Sequence, residues 1–278
     1  LKAALLEAFE QHMGEYIEHY PLREGSTVLS RIPSYEKWAI DIQTHGEYDD
    51  YWKQRGYAIS KYYDEHADVP TLYLGGWYDS YARNTCESYI ALSKTKKSPQ
   101  HLLMGPWTHG KYEVPFAGEL FFGTQSPINY LDLKLAWFDE HLKGLNTEVG
   151  KWSPVRIFTM GTDDGKPSIP GSPKVGGDYL GHLNHGGYWR NEPDWPLPET
   201  NLTPYYLHGD GSLSTLRPGS GNDETTEFTY DPSDPVPTIG GGISAADDFL
   251  PAGGFDQRGR PDLFGAQDTL PLNVRGDV

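Results

Sequence analysis

The sequence predicts an α/β fold built on a parallel sheet, and three observations carry that prediction. Short apolar runs that end in glycine recur at Val69–Leu74, Gln100–Met104 and Val155–Met160. Helical spacing occupies Ser80–Ser93 and Tyr130–Leu142 between them. Strands alternating with helices in this way imply parallel pairing through crossover connections. The third observation is bulk: 278 residues, 37% hydrophobic and 13% aromatic, are enough for a sizeable core and too apolar for a disordered chain.

Taken in chain order, residues 1–66 read as mostly helical. Leu5, Ala8, Phe9, Met13 and Ile17 keep close to the spacing of one helix face, and Pro21 and Gly25 punctuate the run. A second helix is expected over Glu47–Glu65, crowded with Tyr48, Tyr51, Trp52, Tyr57, Tyr62 and Tyr63. Such a stripe is either core packing or the aromatic wall of a pocket.

The first strand, Val69-Pro70-Thr71-Leu72-Tyr73-Leu74, stops at Gly75-Gly76. The helix over Tyr130–Leu142 places Leu131, Leu135, Phe138 and Leu142 on one face, with Gly144 as its C-cap. Residues 162–187, rich in Gly, Pro and Asp, read as a long loop. Near residue 200 the texture becomes all-β, with strand-like runs at Thr203–Leu207 and Glu227–Tyr230.

Charge and cysteine usage exclude several functions. The chain carries 23 basic and 39 acidic side chains, a net charge of −16. Affinity for nucleic acid and for anionic membranes comes from Lys and Arg, so neither partner is expected. No apolar run approaches the roughly 20 residues of a spanning helix. Cys86 is the single cysteine, which rules out an internal disulfide framework and a Cys-based zinc site. Residues 191–278 hold four Arg, no Lys and fifteen acidic residues, the pattern of a solvated surface.

The chain opens Leu1-Lys2-Ala3-Ala4 without Met or a signal-peptide pattern. Its last stretch, Leu270–Val274, reads like the approach to a strand. A piece of a longer chain is expected on both counts, and the compartment is left undetermined.

Two strand ends carry the residue types of a hydrolase. Asp79 follows the first strand in Gly75-Gly76-Trp77-Tyr78-Asp79, and His109 follows the second in Gly105-Pro106-Trp107-Thr108-His109-Gly110. Ligands of open α/β sheets gather at the carboxyl ends of the strands, so both side chains reach one rim. A carboxylate accepting from an imidazole fixes its tautomer, and the imidazole then moves a nucleophile's proton. Acid before histidine also matches the last two terms of the nucleophile–acid–histidine order of α/β-hydrolases. The bland alternatives are an Asp that caps the next helix and a solvent-facing loop histidine.

A nucleophile is missing. The strained Gly-x-Ser-x-Gly elbow does not occur. Ser220 lies after the histidine, in the β-type region. Ser80 reads as a helix cap, and Cys86 falls inside a helix, where packing is the simpler role.

The runs around Asp79 and His109 resemble the CocE/NonD (cocaine esterase-like) hydrolases of the X-Pro dipeptidyl-peptidase (S15) superfamily. Further similarity lies in Trp137–Gly144, Pro154–Phe158, Trp189–Pro196 and Pro251–Arg258. The resemblance implies the C-terminal part of an α/β-hydrolase core with a helical lid, followed by a jelly-roll β-domain. Residues 1–66 would be lid, 67–201 the second half of the core and 202–278 the opening of the jelly roll. It implies a serine hydrolase acting through an acyl-enzyme, with Asp79 and His109 catalytic and the serine and oxyanion tyrosine upstream of Leu1. The piece alone is then expected to be inactive.

In that family Tyr81 resembles a position walling the acyl pocket, with ordinary packing as the alternative. The resemblance implies a small ester or amide substrate, no cofactor and no metal; homo-oligomerisation of the longer enzyme is left open. Relatives that act on α-amino acid esters carry extra carboxylates just after the acid, whereas Ser80-Tyr81-Ala82 follows here, which favours a neutral acyl group. Glu47, Asp49 and Asp50 are the remaining candidates for an amine. Alternatives are an S15-type peptidase, a non-catalytic β-module, and a metal protein using His182, His185 and Asp178.

Overall fold

The computed structural model describes residues 21–26, 28–161, 166, 182–219, 227–233, 235–242 and 250–257, with Ala3 and Leu6. The helix expected over residues 1–20 otherwise lies outside the described residues, as do Asp178, Ser220 and the run 270–274. The chain divides into two units, Leu1–His66 and Ala67–Val278.

In the first unit, helix α1 spans Pro33–Thr44, with proline in its first turn, where the missing N–H costs nothing. Glu36 is buried and accepts the backbone N–H of Gly25 at 2.8 Å. The α-helix expected over Glu47–Glu65 is not formed. Turns lead instead into a 3₁₀ helix at Ile59–Glu65. The aromatic rings pack on one another: Tyr51 stacks on His45 at 4.4 Å and Tyr57 on Tyr51 at 5.2 Å. The Trp52 indole N–H donates to the His45 carbonyl at 2.6 Å, a local contact that a continuous helix would not allow.

The second unit is a mixed α/β structure. Its main sheet runs β1 (Thr71–Tyr78), β2 (Gln100–Thr108), β5 (Val155–Met160) and β7 (Gly187–Glu192), in the spatial order β1-β2-β5-β7. The first three strands are parallel, and β7 is antiparallel to β5. Helix α2 (Ala82–Thr95) connects β1 to β2, and α3 (Tyr130–Lys143) lies between β2 and β5.

Side chains of β2 alternate between the two faces of the sheet. Leu102 and Met104 pack with Tyr89 of α2 and with Val155 and Ile157. Leu103 points the other way, to Leu133 and Trp137 of α3 and to Val149. Burial on both faces is why β2 reads as a continuous apolar run.

Helix α3 begins at an Asn129 cap whose side chain accepts from the N–H groups of Leu131 and Asp132, each at 3.1 Å. It ends at Gly144, left-handed at φ 68°. Its burial differs from the sequence expectation. Leu133 and Trp137 are the buried positions, whereas the stripe Leu131, Leu135, Phe138 and Leu142 is exposed.

Short strands β3 (Phe116–Ala117), β4 (Leu120–Phe121) and β6 (Leu183–Asn184) form a second sheet. Beyond residue 201, β8 (Tyr206–Leu207) pairs with β9 (Leu213–Ser214). No strand forms at Glu227–Tyr230. The chain then returns to the core: isolated bridges join Gly118 to Gly254 and Gly241 to Gly253.

Candidate active site

The rim beyond β1 and β2 brings Asp79 and His109 together through a register shift. Gly76 pairs with Gly105, but Tyr78 pairs with Thr108, so β2 holds one residue more than β1 between the two pairs. This bulge re-aims everything downstream. Asp79 and His109 thereby leave the sheet side by side. Pro106 falls inside the irregularity, where its missing N–H forfeits no ladder bond.

Close strand approach requires Gly76. A Cβ there would sit 2.1 Å from the Trp107 carbonyl oxygen. Trp107 is fully buried and donates its indole N–H to the Ser126 carbonyl at 3.2 Å. The strand end that carries His109 is therefore anchored one residue before Thr108.

Asp79 is buried, its side chain only 5% exposed, and each carboxylate oxygen has a partner. Oδ1 accepts the backbone N–H of Tyr81 at 2.9 Å, an Asx-type turn opening α2. Oδ2 lies 3.0 Å from Nδ1 of His109. An ionised carboxylate can only accept, so Nδ1 is assigned the proton and Nε2 keeps its lone pair. The imidazole is 55% exposed, which leaves it reachable from outside the chain.

This geometry is what a general base needs: a buried acid with no freedom to rotate, and a histidine oriented by it. Tyr81 completes the arrangement, its ring centroid 5.2 Å from that of His109 at 58°. The phenol ring is exposed, so it flanks the imidazole from the open side. Helix α2 takes Tyr81 as its N-cap, one residue after Ser80, and the Tyr81 side chain makes no capping bond.

Other candidates behave differently. Cys86 packs against the α2 side of the core, and burial pushes its thiol up to about 11, so it is protonated at neutral pH. The His182 ring stacks on Phe116 at 4.6 Å, and His185 meets Phe122 edge-on at 5.3 Å. Among the described residues no three His, Cys, Asp or Glu side chains gather as metal ligands. In the first unit, Asp49 is held by Nδ1 of His45 at 2.5 Å and by the Tyr51 N–H at 2.9 Å, and Asp50 lies 3.4 Å from Lys53.

One charged residue stands out although sequence reading gave it no role. Arg156, on β5, lies with its guanidinium 4.3 Å from the Trp152 ring. The signal available was a lone arginine between Val155 and Ile157 in an otherwise apolar strand.

Comparison with known proteins places the chain among hydrolases. Residues 3–111 match the model of the X-Pro dipeptidyl-peptidase (S15) family. Cocaine esterase of Rhodococcus sp. (strain MB1 Bresler) is 30% identical over 234 residues, covering 80% of this chain and 34% of that protein. A protein of Mycobacterium bovis with a serine-esterase name is 28% identical over 167 residues, covering 58% of this chain and 22% of that protein. A solved CocE/NonD family hydrolase from Staphylococcus aureus superposes with a TM-score of 0.42 at 17% identity, over 66% of this chain and 26% of that one. The chain thus spans about a third or less of the curated relatives it matches.

Proposed function

The chain belongs to the CocE/NonD and X-Pro dipeptidyl-peptidase (S15) hydrolase family, and on that premise we propose that Asp79 and His109 are the acid and base of a Ser-His-Asp triad that cleaves ester bonds. The observation that carries the reading is the 3.0 Å contact between buried Asp79 and the exposed, oriented His109. No Gly-x-Ser-x-Gly elbow occurs in residues 1–278, so in this reading the serine comes from polypeptide outside them.

The chemistry then runs as acyl transfer. His109 Nε2 takes the proton of the serine hydroxyl as its oxygen attacks the carbonyl carbon. Asp79 stabilises the imidazolium without itself becoming protonated. The imidazolium returns that proton to the departing alkoxide, leaving an acyl-serine and a free alcohol. His109 next deprotonates water, which attacks the acyl carbon, and the imidazolium passes that proton to the departing serine oxygen, releasing the carboxylic acid and restoring the serine hydroxyl and the neutral imidazole. Tyr81, beside the imidazole, forms one wall of the acyl pocket. In the same proposal residues 1–66 act as a lid and residues 202–278 open a jelly-roll domain.

An ester is favoured over a peptide because no carboxylate follows Asp79 in Ser80-Tyr81-Ala82 to hold a substrate amine, and because the curated relatives carry esterase names. The second reading, a peptidase of the X-Pro type, draws on the family model matched by residues 3–111.

The test is hydrolysis of a short-chain p-nitrophenyl ester by the full-length polypeptide that contains this chain, with Asp79→Asn and His109→Ala variants and residues 1–278 alone in parallel. The expected result is loss of about 10³-fold or more in kcat for each variant and no turnover by residues 1–278. Turnover that survives both substitutions would sink the assignment. Preferential cleavage of an X-Pro-p-nitroanilide would instead select the peptidase reading.

A further inference from the structure

Away from Asp79 and His109, the α3 face of the sheet holds an open cavity of about 460 Å³. Its floor and walls are largely apolar: Leu103, Ile128, Leu133, Val149, Trp152 and Trp189. It lies over β2, β5 and β7, away from β1, and neither Asp79 nor His109 borders it. The size suits a small organic ligand, for which pockets of roughly 300–1,000 Å³ are usual.

One cation enters this apolar space. The Arg156 guanidinium lies 4.3 Å from the Trp152 ring centroid and 5.9 Å from that of Trp189. Its Nε is buried with no hydrogen-bond partner, and no carboxylate pairs with it among the described residues. Burial accordingly pushes the guanidinium below its usual basicity. Arg156 is half-buried, so the ring faces offset part of its desolvation while the guanidinium stays open to an incoming anion.

The neighbouring polar groups do not supply that anion. Gln125 spends its amide N–H groups on the carbonyls of Phe122 and Gly187, at 3.3 and 3.0 Å. Asp132 and Glu148 border the cavity but are exposed, and Glu148 is already paired with Lys151 at 2.8 Å. The planar fork of a guanidinium matches a carboxylate, and the tryptophan and leucine walls match a flat hydrocarbon body.

We propose that this cavity is a second ligand site, distinct from the Asp79–His109 rim, which takes a small monocarboxylic acid with an aromatic or compact apolar body and seats its carboxylate on Arg156. A carboxylate from another stretch of polypeptide has the same chemistry. The proposal commits to the free acid, and the two sources separate in the test.

The probe is phenylacetate, titrated calorimetrically into the full chain, with neutral phenylacetamide as its isostere. The acid is expected to bind, and the amide at least about tenfold more weakly, the weight of one charge-assisted contact. Arg156→Met should abolish acid binding, and Arg156→Lys should weaken it by losing the fork. His109→Ala should leave the dissociation constant unchanged. Equal binding of acid and amide would overturn the proposal without any variant. So would absence of binding, the result expected if a polypeptide carboxylate occupies Arg156. Binding that survives Arg156→Met and disappears in His109→Ala would assign the acid to the catalytic rim instead.

Discussion

Tyr78 pairs with Thr108 across β1 and β2, although Gly76, two positions earlier, pairs with Gly105. The extra residue in β2 brings Asp79 level with His109, and without it the imidazole would lie one position out of register. The shift depends on β1 pressing against the Trp107 carbonyl at Gly76. Gly76→Ala places a methyl carbon in backbone that cannot yield, so we expect a destabilisation of about 2 kcal/mol or more. Chemical denaturation of the variant checks this, and unchanged stability would show that the strands can part there at no cost.

Tyr81 acts at the site in two separable ways. Its backbone N–H fixes Asp79 Oδ1 at 2.9 Å, while its ring flanks His109 at 5.2 Å. Replacing only the side chain leaves the first contact in place. Tyr81→Phe is therefore expected to behave like the parent, since the phenol has no hydrogen-bond partner among the described residues. On the proposed assignment, Tyr81→Ala should raise KM several-fold for bulky acyl esters while kcat changes less, because truncation would remove binding surface rather than the proposed base. Steady-state kinetics of the full-length enzyme over a series of acyl chain lengths distinguish the two. A fall in kcat alone would mean that the ring holds the imidazole rather than the substrate.

What the sequence made legible follows from where the physics is local. β2 is buried on both faces and β1 and β5 pack against it, so Leu72–Leu74 and Leu102–Met104 show as apolar runs closed by glycine, and Val155–Phe158 as an apolar run broken only by Arg156. Asp79 and His109 stand out because each follows such a run directly. The bulge at Pro106 was hidden, since it exists only in the pairing of β2 with β1. Tyr48–Tyr63 satisfied helical spacing, yet those rings are spent on stacking with His45 and on one another. Helix α1, Pro33 to Thr44, falls within the stretch expected to be mostly helical, but half of its residues are polar, so its bounds do not stand out in the sequence. Arg156 looked like any strand charge until Trp152 and Trp189, separate in sequence, closed around it.

His101 gives the second unit an acid-side weakness. Burial holds its imidazole below the ordinary value of 6.5; the bond from Nδ1 to the Ser153 carbonyl at 3.2 Å opposes that shift, and neighbouring His141 adds to it. The unfolded chain therefore binds a proton at this residue before the folded chain does. Stability then rises with pH through this window, and it is lost as pH falls below about 6.5. His101→Gln retains a donor for Ser153 and does not titrate. Melting temperature followed from about pH 7.5 to 5.5 should show a shallower acid slope in the variant. An identical slope would move the effect elsewhere, with His185, also lowered by burial, the next histidine to replace.

The exposed face of α3 bears on how residues 1–278 behave alone. Leu131, Leu135, Phe138 and Leu142 are 71%, 59%, 53% and 77% exposed, spaced to form one continuous stripe. β1 meanwhile lies at the end of the main sheet's strand order. A contiguous exposed apolar stripe and a terminal sheet strand are both surfaces on which chains self-associate. We therefore expect residues 1–278 to form concentration-dependent oligomers in light scattering coupled to size exclusion. The double variant Leu135→Lys, Phe138→Lys should shift the population toward monomer, because two cations on adjacent turns repel a second copy and sit comfortably in water. Both substituted side chains point away from the buried Leu133 and Trp137, so the fold should tolerate them. If the unaltered chain is monodisperse across the accessible range, the stripe is tolerated in water; if the double variant associates just as strongly, the β1 edge is the seam.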